Sequence, residues 1–141
     1  MRVQSSTIEN KYLRIKSINI GACLYEVYDK QKRINLILNL GSIKNYASKN
    51  FYVGATCGRY AGRISNSKFN IKNKIYKLNG NEGKNTLHGG KKGFDRLEWK
   101  IHNHSKTKIT YQLLSKDLDQ GFPGDLNAEC IFEIKKKSFF I

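Results

Sequence analysis

Apolar and polar residues alternate along much of the chain with a period of two, as a half-buried β-strand requires. The cleanest run covers 106–113. Thr107, Ile109, Tyr111 and Leu113 share one parity, against Lys106, Lys108, Thr110 and Gln112. A second run sets Ala128, Cys130, Phe132 and Ile134 opposite Asn127, Glu129, Glu133 and Lys135. A third sets Leu97, Trp99 and Ile101 against Glu98, Lys100, His102 and His104. Residues 12–20 are strand-like too, but Leu13 and Ile15 lie on one parity and Ile18 and Ile20 on the other. That phase switch predicts a bulge or two short strands. Gly21 breaks the run, and 23–28 resumes it with aromatic and β-branched residues. The more continuous apolar stretch 34–40 predicts a buried strand. Phe69 and Ile71 pair with Ile75 across Lys72-Asn73-Lys74 as a short hairpin. Tyr46 and Phe51 are expected to anchor the irregular segment that begins at Gly41-Ser42. Turn residues separate the runs and no stretch carries a convincing helical period, so the fold class is all-β, a sandwich or barrel.

Composition narrows the picture. The chain has 141 residues, 39% of them hydrophobic and one of them proline, which suits one domain over 1–141 and excludes a disordered chain. No apolar run approaches a membrane span, and the stretch 1–6 lacks the apolar core of a signal peptide, so a cytoplasmic location is expected. The formal net charge is +15, from 26 Lys and Arg against 11 Asp and Glu. The lysines are scattered, with one tight run at Lys135-Lys136-Lys137, so a compositional bias explains them better than a nucleic-acid face. Cys23, Cys57 and Cys130 are odd in number and far apart, and suggest reduced thiols.

The candidate chemistry centres on Asn85-Thr86-Leu87-His88-Gly89-Gly90-Lys91-Lys92-Gly93-Phe94-Asp95. Glycines let backbone approach closely, and a histidine held by such a loop can hydrogen-bond or transfer a proton. His-Gly-Gly alone is a weak signal. It stands, however, between "GATCGRYAGRI" at 54–64 and "GFPGDL" at 121–126, with 25 positions from Arg63 to His88 (88 − 63 = 25). In this order the three blocks resemble the aldose 1-epimerase (galactose mutarotase) family. The resemblance runs from about Tyr12 onward and covers only the N-terminal part of the family's sequence.

That resemblance implies an antiparallel β-sandwich of the galactose mutarotase type, partial and truncated here, with 1–141 a single domain incomplete at its C-terminus. It implies that Arg63 contacts the sugar and that His88 hydrogen-bonds it near the reacting ring. Gly62 stands where many members carry asparagine, which bears on one substrate hydrogen bond. Gly89, Gly90, Phe94 and Asp95 are expected to fix the loop, with Asp95 accepting backbone hydrogen bonds. Arg59 is expected in a surface ion pair. Glu82 lies near the loop, with no second carboxylate beside it in sequence. His102 and His104 share a strand face without a third ligand, so a solvated face is expected. No metal or cofactor is expected; the expected partner is an aldohexose.

Mutarotation needs an acid on the ring oxygen and a base on the anomeric hydroxyl. In the family these are a second histidine, within an Asn-His-x-x-Phe-Asn-Leu block, and a late glutamate. That block does not occur in this sequence. The chain is therefore expected to keep part of the sugar-binding site, to lack the catalytic pair, and to be inactive alone. A non-catalytic carbohydrate-binding module and a basic nucleic-acid-binding β-barrel are the alternatives. Phe139, Phe140 and Ile141 have no evident partner, so a C-terminal complementing fragment or self-association is also expected.

Overall fold

The computed structural model describes residues 2–47 and 52–141. Its first reversal is made by one side chain. Asn10 Oδ1 accepts from Tyr12 N (2.8 Å) and Leu13 N (2.9 Å) and turns β1 (Ser5–Glu9) into β2 (Leu13–Ile18). Asp29 does the same further on, accepting from Gln31 N (2.8 Å) and Lys32 N (3.0 Å) between β3 (Cys23–Asp29) and β4 (Ile34–Asn35). These four strands form an antiparallel sheet in chain order. Two ribbons follow, built from β5 (Arg63–Ile64), β6 (Lys68–Ile71), β7 (Lys74–Lys77) and β8 (Thr86–Leu87); β5 pairs with β8 and β6 with β7. The second four-stranded sheet contains β9 (Lys100–His104), β10 (Lys108–Ser115), β11 (Leu126–Lys135) and β12 (Ser138–Phe140), in the order β12-β11-β10-β9. Helical backbone among the described residues is limited to short 3₁₀ turns, and no helix is long and apolar enough to cross a membrane.

The two large sheets bury their apolar rows against each other. Ile8, Leu13, Ile15 and Val27 meet Ile109, Tyr111, Cys130, Phe132 and Ile134, with Trp99 and Phe94 in the same core. Each such side chain contributes about 1.5–3 kcal/mol when fully buried. One polar pair crosses the core, Ser17 Oγ to Tyr111 Oη at 2.8 Å. Burial pushes the Tyr111 phenol upward, and the serine partly offsets it. At one end the sheets are tied by backbone: Trp99 N donates to Asn19 O (2.8 Å) and Gly21 N to Leu97 O (2.8 Å).

The predicted phase switch in 12–20 is a bulge, a register shift between Lys16 and Ser17. Beyond it Ile18 and Ile20 join Cys23 and Tyr46 in a second buried cluster. Tyr46 is thus an anchor, while Phe51 lies outside the described residues. The hairpin at 69–75 forms with a shorter link than expected. Lys74 already pairs with Ile71, and Lys72 and Asn73 both adopt positive φ (46° and 64°), the two-residue turn whose twist suits a hairpin.

Three expectations are corrected. Residues 34–40 do not form a buried strand; pairing stops after Asn35. Asn35 Oδ1 takes the Val27 N–H (3.1 Å), its Nδ2 donates to Ile37 O (3.0 Å), and Asn39 Nδ2 donates to Tyr25 O (3.3 Å). One more backbone bond, Leu36 N to Val27 O (2.8 Å), accompanies these; beyond it only asparagine side chains reach β3, the chain leaves the sheet, and Leu36 and Leu38 remain 52% and 87% exposed. Ile101 is 43% exposed where Trp99 is buried: it stands opposite Tyr111, but on edge strand β9, all five of whose residues are exposed. Phe139 is not without a partner. A tight turn at Lys136-Lys137 folds β12 back, opposing Phe139 to Ile134 and bringing its ring to Phe132 (5.9 Å). Phe140 and Ile141 stay exposed.

Candidate functional site

The three motif blocks, separated in sequence, meet in space. Gly89 (φ +91°) lies so close to the Gly58 carbonyl that a Cβ there would come within 1.6 Å of its oxygen. Here glycine is a steric requirement as well as a conformational one. Gln120, which leads into the third block, locks on from the other side: Lys92 N donates to its Oε1 (3.0 Å), and Asn79 N to its carbonyl (3.0 Å).

Arg59 is the clasp of this junction, and the expected surface ion pair is not what it makes. Its Nε donates to Ser115 Oγ (2.9 Å). Its Nη1 donates to Pro123 O (3.0 Å) and Gly124 O (2.8 Å), and its Nη2 to Ser115 O (2.9 Å) and Lys116 O (2.7 Å). A planar five-donor fork fits such a ring of carbonyls, which is why the loop recruits it in place of a carboxylate. The ion pair belongs instead to Arg63, whose Nε and Nη2 donate to Glu82 Oε2 (2.6 Å) and Oε1 (2.7 Å).

Strands β5 and β8 bring Arg63 and His88 onto neighbouring segments. Arg63 stands opposite Leu87, and the next step along each strand pairs Gly62 with His88 reciprocally. His88 N donates to Gly62 O (3.0 Å), and Gly62 N donates to His88 Nδ1 (3.1 Å). That second bond assigns the imidazole tautomer: Nδ1 accepts, so in the neutral ring the proton sits on Nε2. His88 has φ +50°, a left-handed turn into Gly89 and Gly90 that ends the strand and frees the ring from the ladder. The Tyr52 ring meets the imidazole edge-on, with centroids 4.5 Å apart.

Glu82 links the two candidate side chains. It is ion-paired to Arg63, and it stands in the segment that leads into the His88 loop. The Arg63 hydrogen bond holds its carboxyl below the usual carboxylate range. Sequence reasoning left Glu82 without a role, because its partner lies 19 positions away on another strand. Asn81 was missed too. Its side chain closes the loop on Leu87, donating to Leu87 O (3.0 Å) and accepting from Leu87 N (2.7 Å). Burial pushes the Tyr52 phenol upward.

Phe94 and Asp95 lie beneath the loop, both buried. Phe94 fills the space beside Gly58 and meets Trp99 edge-on at 5.6 Å, while Trp99 Nε1 donates to Phe94 O (3.0 Å). Asp95 Oδ2 lies 3.5 Å from Arg96 Nε, and the Asp95 carbonyl presses on Gly21. His102 and His104 lie apart from the site on exposed β9, where His104 Nε2 is 3.0 Å from Thr7 O. The site thus offers a guanidinium fork, a carboxylate acceptor and an imidazole with a defined tautomer on neighbouring segments. Such a set suits a ligand with several hydroxyl groups, each of which donates and accepts.

Comparison with known proteins gives a consistent result. The family described as aldose 1-epimerase matches residues 4–141. Aldose 1-epimerase of Haemophilus influenzae is 34% identical over 136 residues, covering 93% of this chain and 39% of that protein. Galactose mutarotase of Sus scrofa is 36% identical over 129 residues, covering 89% of this chain and 37% of that protein. An aldose epimerase homologue from C. elegans superposes with a TM-score of 0.88 at 27% identity, covering 96% of this chain and 43% of that one. The chain therefore spans about two fifths of the relatives it matches.

Proposed function

Because the chain belongs to the aldose 1-epimerase family, we propose that it carries the sugar-binding part of a mutarotase site, with Arg63 and His88 as the residues that hold an aldohexose. The reciprocal Gly62–His88 pairing carries this reading. It commits Nδ1 to the backbone and leaves the Nε2 proton for a ligand oxygen, next to the strand that bears the guanidinium. Gly89 and Gly90 allow the close backbone approach, Gly62 adopts the positive φ (+125°) that a side chain would strain, and Phe94 and Asp95 support the loop from beneath. A donor held in place where charge develops on oxygen is a recurrent means of stabilising a transition state.

Interconversion of α and β anomers also requires an acid for the ring oxygen and a base for the anomeric hydroxyl. In this reading neither is among residues 1–141, so the chain binds sugar without turning it over. The positions of the other histidines support this, since His102 and His104 lie on the exposed edge strand. The same reading treats 1–141 as one part of the family's sandwich. An open apolar groove of about 470 Å³, lined among others by Leu24, Ala55, Cys130, Phe132 and Ile141, supports a covering partner, either a complementing C-terminal segment or a second copy.

Two measurements test the proposal. D-Galactose or D-glucose titrated into the chain should shift the NMR signals of residues 87–90 and the His88 ring, and Arg63→Ala should weaken that response. Polarimetry of fresh α-D-galactose should show no loss of rotation above a buffer control. Shifts confined to other surfaces, or rotation lost in proportion to added protein, would refute the corresponding part.

A further inference from the structure

Arg63 and Glu82 form a bidentate pair on the open side of the site, the arginine side chain 63% exposed and the carboxylate 36%. An exposed ion pair adds little to stability, so its geometry invites another explanation. A lone guanidinium fork is a carboxylate and phosphate receptor, because two parallel N–H donors match two anionic oxygens. On a chain of net charge +15 the surrounding field would add to that attraction. Arg63 by itself would therefore draw acidic sugars as readily as neutral ones.

Glu82 closes that option. Nε and one Nη2 donor already face its two oxygens, so one of the two edges an incoming carboxylate could use is taken. An anion approaching the remaining donors would stand beside a carboxylate of like charge. A neutral hydroxyl meets no such penalty: it can accept from a remaining Arg63 N–H and donate to an unused lone pair of Glu82. We propose that Glu82 is a specificity-determining residue, a charge filter that makes the site select uncharged sugars over uronates and other acidic sugars. The inference rests on the sugar-binding reading above.

The test uses the full chain, with D-galactose and D-galacturonate titrated separately into the wild type, Glu82→Gln, Glu82→Ala and the Arg63→Ala/Glu82→Gln double variant. Signals of residues 87–90 report binding, and the amide spectrum reports folding. The wild type should favour galactose. Both Glu82 variants should shift the galacturonate-to-galactose affinity ratio toward the acid by about tenfold or more, roughly 1.4 kcal/mol, and removal of Arg63 should abolish the gain. A ratio unchanged within about twofold in both folded Glu82 variants, while galactose still binds, overturns the filter and leaves the sugar-binding reading intact. Failure of galactose to move these signals in any of the proteins overturns the reading and the filter with it.

Discussion

Substituting Gly89 by alanine should separate two costs that usually arrive together. The backbone at Gly89 has φ +91°, and the added Cβ would lie 1.6 Å from Gly58 O and 2.4 Å from Gly58 C. The first cost is conformational, about 1–2 kcal/mol for an L-residue held in left-handed space. The second is steric: a backbone carbonyl cannot rotate away as a flexible side chain can, so the 54–64 block must move. Overpacking of this kind costs about 1–3 kcal/mol. Gly41 provides the control, since φ is +74° and nothing lies within 4 Å of its added Cβ. Gly41→Ala should therefore show the first cost alone, and Gly89→Ala a total of about 2–5 kcal/mol. That is a large part of a typical domain's stability of about 5–15 kcal/mol. Urea unfolding followed by the fluorescence of Trp99, the single tryptophan, measures both. If the two variants fall within about 0.5 kcal/mol of each other, the glycine junction does not couple the blocks as argued.

Arg59→Ala should destabilise the chain by about 3 kcal/mol by breaking a semi-buried network, and Arg59→Lys should recover less than half, because an ammonium cannot span five acceptors; thermal melts decide. The Glu82 carboxyl, followed by ¹³C NMR, should titrate below its ordinary value of 4.5, and Arg63→Ala should move it back up. The folded-state pKa is lowered, so the pair's contribution is present above the unfolded value and is lost as pH falls through the folded one. Sedimentation at rising salt should show self-association, since screening of the +15 charge leaves exposed Leu36, Leu38 and Ile141 free to meet; a monomer at all salt concentrations would count against a second copy as the covering partner.

Sequence alone determined the strands whose environment is uniform along their length. The parities of β10 and β11 are legible because one face of each meets the core throughout, so period-two alternation survives as Ile109 and Tyr111 opposite Phe132 and Cys130. The glycine blocks are legible for a similar local reason: positive φ and close backbone approach exclude a side chain wherever they occur. Tertiary structure decided what depends on a partner distant along the chain. Apolar content favoured a strand at 34–40, but Asn35 and Asn39 offered the backbone of β3 a competing set of hydrogen bonds, and the side chains won. Two arginines four residues apart looked alike in sequence, and the ion pair expected of Arg59 formed at Arg63 instead. Arg59 met carbonyls 56 to 65 positions away, and Arg63 met a carboxylate 19 positions away. A guanidinium accepts either partner, and only the fold determines which one lies within three ångströms.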